Sequence, residues 1–166
     1  ELEERTKMEF SMDVNGNMTS HYWNGAATNV TYDAKNRIKK IPRAYYKYWY
    51  DADNNRIKLK EREESTIYTY DCSGGRSRLI MSKENASLET IYGYGSEGLI
   101  WSRCNGKYQI YHYDYRGSVV AVTDEEGNIT DTIRYNSYGN IKRKTGTSKL
   151  IFGYNGRDGV ITDSNG

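Results

Sequence analysis

The chain has almost no proline: Pro42 stands alone among 166 residues. Proline cannot donate to a β-ladder, so a chain this poor in it is free to pair along most of its length. Histidine is limited to His21 and His112, and cysteine to Cys72 and Cys104. The cysteines lie 32 positions apart with no CxxC and no close histidine, which excludes zinc-type spacing. They read as two reduced, half-buried thiols, with a single disulfide as the alternative. No apolar run approaches the ~20 residues of a spanning helix, and no signal-peptide pattern opens the chain. Because it begins at Glu1, the chain reads as a fragment or a processed piece. It also lacks an excess of either charge. Lys and Arg number 24, Asp and Glu 22, interspersed to a formal +2, so neither a nucleic-acid nor a membrane partner is expected.

Mean hydropathy is low at −0.91. Aromatic content is high all the same, with 17 Tyr against 2 Phe and 3 Trp. Tyrosine in place of phenylalanine predicts rings lying on a half-wet sheet with their hydroxyls in water. The length suits one domain with a core of its own.

The stretch from Tyr111 to Ile129 reads as strand, turn, strand, turn and the start of a third strand. Tyr113-Asp114 closes the first, and Gly117 supplies the left-handed residue a tight reversal needs. Val119 to Thr123 is β-branched and small, Gly127-Asn128 turns the chain again, and Ile129 to Tyr135 runs back. The pattern repeats. Corners recur at Tyr32-Asp33, Tyr50-Asp51, Tyr70-Asp71, Tyr113-Asp114, Tyr135-Asn136 and Tyr154-Asn155, with Tyr92-Gly93 filling the gap. Successive tyrosines are 18, 20, 22, 21, 22 and 19 apart, the spacing expected of hairpins with variable loops. Gly139-Asn140 and Gly156 follow the last corners.

An all-β antiparallel meander follows. Strands are predicted over 45–50, 56–62, 65–70, 76–82, 88–94, 99–103, 107–113, 118–123, 129–135 and 149–154. Asn105-Gly106 marks a two-residue hairpin. Residues 1–25 read as an irregular lead-in, 26–145 as the repeat sheet, and 146–166 as the start of a further region. Ile141 to Lys144 reads as a basic loop. Gln109, Tyr111 and Tyr113 share one face of their strand and Tyr108, Ile110 and His112 the other.

Other motifs have simpler readings. Gly93 to Gly98 spells GxGxxG, but Leu99-Ile100-Trp101 continues as a strand where a dinucleotide site needs a helix N-terminus. Asp51 to Asn55 begins like a calcium loop, yet Arg56 and Arg62 occupy the glycine and glutamate positions. Lys58, Lys60 and Arg62 share a strand face, read as solvated with phosphate contact as the minority reading. No nucleophile elbow or Cys–His pair is present, so the chain is not read as an enzyme and no catalytic residue, metal or cofactor is assigned.

With the repeat laid out, the chain resembles Rhs/YD-repeat proteins near the end of their repeat array. The residues that carry this are 111–118, 121–128, 134–141 and 152–159; in that order they are similar to the beginning of the Rhs repeat-associated core. The match is close over 92–166 and looser over 26–91. The resemblance implies a strip of a hollow β-shell that encloses a C-terminal toxin, exported by bacteria and wall-associated in some of them. Its partners would be the rest of that shell and the downstream toxin. It implies no self-cleaving residue here, since the chain stops at Gly166 before that motif. As an isolated piece, the strip would close on itself or pair with a copy through its free edges. The competing expectation is a module that binds glycans or wall polymers, with Trp23, Trp49 and Trp101 stacking on sugar rings.

Overall fold

The computed structural model describes residues 9–23, 26–42 and 45–163. It is all-β. Strands run β1 (Glu9–Met12), β2 (Met18–Trp23), β3 (Ala26–Asn29), β4 (Thr31–Tyr32), β5 (Ile38–Ile41), β6 (Tyr46–Tyr50), β7 (Arg56–Glu61) and β8 (Glu64–Asp71). They continue as β9 (Arg78–Glu84), β10 (Leu88–Gly95), β11 (Gly98–Cys104), β12 (Lys107–Tyr113), β13 (Val119–Thr123), β14 (Ile129–Tyr135) and β15 (Ile141–Thr145). A single 3-10 turn, Gly156–Asp158, follows. β1–β3 form a three-stranded sheet, and β4 to β15 follow one another in strict order in a sheet of twelve. The paired strands run antiparallel, as the short turns require.

The chain divides into two compact units, 1–67 and 68–166. The core of the first holds Val30, Tyr46, Tyr48 and Leu59. The core of the second holds Tyr68, Leu79, Tyr92, Leu99, Tyr111, Val119, Val122, Ile133 and Phe152. Phe152 does not come from the sheet. It lies on a C-terminal strap, 146–163, laid against the inner face of the second unit.

Several expectations are corrected here. The predicted strand 149–154 is this strap, held to strand geometry at one bridge, Phe152 to Ile161. Its alternating large residues mimic a strand, but Gly153 and Gly156 let it coil where a ladder would run straight. The predicted basic loop at Ile141 is strand β15, the last in the sheet, with every residue exposed. Charged side chains protect an exposed edge from further pairing, and that is why the segment does not look like a strand. The lead-in carries β1 and β2, and β4 and β5 were likewise not foreseen, being too short to show alternation. Gly93 to Gly98 is the β10–β11 hairpin, Gly95 opposite Gly98, with a strand where a dinucleotide site has a helix. Both cysteines are free, and Cys72 is exposed where half-burial was expected.

Candidate functional site

The repeating corner is the unit that the structure defines best, and its chemistry begins with one carboxylate. In the turns starting at Asp13, Asp33, Asp51, Asp114, Asp124 and Asn136, the side-chain Oδ1 accepts the backbone N–H four residues on at 2.8–3.0 Å. In the turns at Asp13, Asp33, Asp114, Asp124 and Asn136 the same oxygen also accepts the N–H two residues on. The second side-chain oxygen takes a side chain at the fourth position, Asn17, Asn55 or Asn128 Nδ2, or the Arg37 guanidinium. The residue between is left-handed: Gly16, Asn36, Asn54, Gly117, Gly127 or Gly139. Gly or Asn is therefore required there, because other side chains clash with the carbonyl.

These bonds favour the ionised aspartate. The Asn17 side chain holds Asp13 below the usual carboxylate range, as Asn55 does for Asp51 and Asn128 for Asp124. The Arg37 backbone amide leads at Asp33, and the Ser73 hydroxyl leads at Asp71, whose turn is one residue longer.

The tyrosine of each corner reaches backwards. Tyr32, Tyr50, Tyr94, Tyr113 and Tyr135 donate their hydroxyls to the carbonyls of Met18, Ile38, Leu79, Leu99 and Val119 at 2.8–3.0 Å. Each acceptor lies at the start of an earlier strand, where the ladder leaves a carbonyl open. Each of these tyrosines also sits on a register shift, which aims its ring. The corner in the gap is therefore Tyr94 rather than Tyr92, which is a core residue.

The wet-sheet reading of tyrosine is corrected as well. Tyr46, Tyr48, Tyr68, Tyr92 and Tyr111 are buried. Tyr92 pairs with Ser82 at 2.9 Å and Tyr111 with Ser102 at 2.8 Å, which supplies the partner a buried hydroxyl needs. Burial pushes the Tyr94, Tyr111 and Tyr135 hydroxyls up to about 12 and raises Tyr92 and Tyr113 in the same direction. The unfolded value is 10.0, so their contribution to stability is complete below it and is lost as pH rises through the folded values. Ultraviolet titration of the phenolates should show a late class ionising above pH 11, coincident with loss of the β signal by circular dichroism.

The strap closes the second unit. Val119 N–H donates to the Gly153 carbonyl and Arg157 N–H to that of Gly117, both at 3.0 Å. Phe152 meets Tyr92 edge-on at 5.3 Å. Asp131, fully buried, accepts Ser148 N–H at 3.0 Å, Ser148 Oγ at 2.6 Å and Thr130 Oγ1 at 2.8 Å. Gly146 permits that approach, since a Cβ there would fall on Asp131 Oδ1. Between strap and sheet lies a cavity of about 600 Å³, bounded by Glu84, Tyr92, Ser102, Tyr111, Ser148 and Lys149 among others. Among the described residues no group of three or more His, Cys, Asp or Glu is placed to hold a metal.

The remaining sequence candidates are dispersed. Tyr70 ends β8, and Tyr154 packs edge-on against Tyr135 at 5.7 Å rather than closing a strand. Gly139 lies under the Tyr154 ring, and Gly156 against Phe152. Asn140 N–H completes the Asn136 turn. Trp49 is 41% exposed, with Lys58 Nζ 5.2 Å from its ring centre. Trp101 covers Gly93, its cross-strand partner, and meets Tyr108 at 5.4 Å. The Trp23 and His21 side chains lie outside the described part. Sequence reasoning missed Asp131 and the strap, for which a lone buried Asp and a scattered Ser gave no periodic signal.

No family model matches the chain. Over 140 residues, 78% of the chain, it is 34% identical to the tRNA3(Ser)-specific nuclease WapA of Bacillus spizizenii. It is 31% identical over 140 residues to the tRNA nuclease WapA of Bacillus subtilis. The chain spans 6% of the length of either relative. Among solved structures it is similar to a TcdB2-TccC3-Cdc42 assembly, at 13% identity and a TM-score of 0.47, covering 90% of this chain and 8% of that one. It is also similar to a Photorhabdus luminescens Tc holotoxin pore, at 13% identity and a TM-score of 0.40, covering 84% of this chain and 10% of that one. The WapA relatives support kinship with Rhs/YD-repeat proteins in general. They also overturn the expectation that the chain is not an enzyme, because they are named as tRNA nucleases. That expectation rested on an inventory of nucleophiles and metal ligands over a short stretch, which is blind to chemistry housed in the rest of a long polypeptide.

Proposed function

We propose that the chain is a wall segment of a long, exported Rhs-type nuclease toxin, whose β-shell encloses the nuclease until delivery. The observation that carries this is the corner itself. Aspartate or asparagine turns and back-reaching tyrosines accompany a register shift at the Tyr32, Tyr50, Tyr113 and Tyr135 corners, so the sheet propagates by a rule set locally in the repeat. Such a rule suits a wall of many strands. Residues 26–145 would be the repeat sheet and 146–166 the start of the core that closes it. The charged edge of β15, with Lys142, Arg143 and Lys144 exposed, disfavours pairing with a second copy.

Secretion or display at the bacterial surface is what the Rhs/YD-repeat resemblance implies, and RNA as the substrate of the whole protein is supported by the names of the WapA relatives. Among the described residues no helix is long and apolar enough to cross a membrane. Glycan stacking is the weaker reading, since Trp101 is spent covering Gly93.

The test is RNA cleavage by the whole protein. Purified and then opened by mild denaturant or proteolysis, it should cut a tRNA mixture faster than the closed protein does. Equal rates before and after opening would refute enclosure, and no cleavage in either state would refute the nuclease.

A further inference from the structure

On the solvent-exposed face of the first unit, three lysines stand directly opposite one another across adjacent strands. Lys40 on β5 faces Lys47 on β6, and Lys47 faces Lys60 on β7. Directly opposed residues have Cα atoms only about 4.5–5.5 Å apart, and like charges placed so are destabilising. Among the described residues, only Lys60 of the three has a carboxylate partner, Glu63 at 3.6 Å, itself 97% exposed and so weak. Arg62 extends the row beyond β7, its guanidinium 5.8 Å from the centre of the Tyr45 ring. Both residues are left-handed, at φ 53° and 59°, and their backbones are joined by a hydrogen bond from Arg62 N–H to the Tyr45 carbonyl. For residues with large side chains that conformation is strained. Lys40, Tyr45, Lys47, Lys60, Arg62 and Glu63 line one open cleft of about 670 Å³. Alongside runs a second row on the same face, Trp49 opposite Lys58 and Lys58 opposite Ile67, which places an exposed indole beside the cations.

A sheet has no structural reason to stack three like charges in register. A bound polyanion removes the repulsion, and a ring at its side selects among polyanions. We propose that this face binds a single-stranded polynucleotide, the lysine row taking successive phosphates and Trp49 stacking on a base. A basic groove with an adjacent aromatic platform is how sequence-tolerant single-strand sites are built. A bare polyphosphate or a polyol phosphate would use the lysines and leave the indole idle. The inference does not rest on the shell reading, because its test uses the 166-residue chain by itself.

The experiment is fluorescence anisotropy of a short, labelled single-stranded RNA against the full 166-residue chain, repeated over a salt series. The triple variant Lys40→Gln, Lys47→Gln, Lys60→Gln should weaken binding at least tenfold and flatten the log–log salt slope by about 2, the share of three lost phosphate contacts. A control triple in β15, Lys142→Gln, Arg143→Gln, Lys144→Gln, removes the same charge elsewhere and should change binding less than threefold. RNA should quench tryptophan emission in the parent chain and not in Trp49→Phe. Without ligand, the lysine triple should melt above the parent, because the opposed charges are gone. Equal loss in the control triple would overturn the site. Quenching that survives Trp49→Phe, or displacement of RNA by inorganic polyphosphate at equal phosphate, would overturn the polynucleotide. A lower melting temperature in the lysine triple would show that the row serves the fold.

Discussion

Phe152→Ala should lower the stability of the second unit by about 3–5 kcal/mol, the usual loss when a fully buried aromatic is truncated. Phe152 is 0% exposed and meets Tyr92 edge-on, and a Cβ at Gly156 would lie 2.9 Å from the Phe152 Cβ. Besides this ring the strap is held by the Ser148–Asp131 hydrogen bonds, the Tyr154–Tyr135 contact and a few backbone bonds, none of which refills the space the ring leaves. Chemical denaturation should show the loss in the midpoint. Hydrogen exchange should localise it, with the Val119 and Thr162 amides, bonded to the Gly153 and Ile151 carbonyls, losing protection first. A loss under 1 kcal/mol would mean that the strap does not complete the core.

Asp131→Ala should cost about 3 kcal/mol, from three hydrogen bonds to a buried carboxylate and the donors left behind. The effect divides by chemistry. Asp131→Asn keeps an acceptor for the Ser148 amide but must present an NH₂ to the hydroxyl side, where Ser148 and Thr130 can turn to accept it. It should therefore recover about half of the loss. Ser148→Ala removes one donor and should cost about 1 kcal/mol. Urea denaturation of the three variants orders them. Alanine and asparagine behaving alike would show that the carboxylate does not anchor the strap.

The sheet between 45 and 135 was legible because turn chemistry and alternation agree there. Asp114 with Gly117, and Asp124 with Gly127, announce reversals that the intervening Val119 to Thr123 can only answer as a strand. Where hydrophobic pattern and chain geometry part company, reading fails. Leu150, Phe152 and Tyr154 alternate like a strand and form a strap, while Lys142, Arg143 and Lys144 look like a loop and form an edge. The corner tyrosines were visible as markers, but their acceptors were not, because a backbone carbonyl carries no sequence signature. The lysine row was half visible. Lys58 and Lys60 share β7 and Arg62 follows it, but Lys40 and Lys47 join them only through cross-strand register, which a single sequence leaves open. The enzyme question had a different cause, since the relatives named as nucleases are many times longer than this chain.

The most direct test of the proposed shell is a protease time course on the whole protein, followed by mass spectrometry of the proposed nuclease region. Intact, that region should survive while exposed linkers are cut. With Phe152→Ala and Asp131→Ala combined, it should be cut as fast as the linkers. Equal cleavage of the nuclease region in the intact and the doubly substituted protein would contradict enclosure and leave this sheet without a wall to belong to.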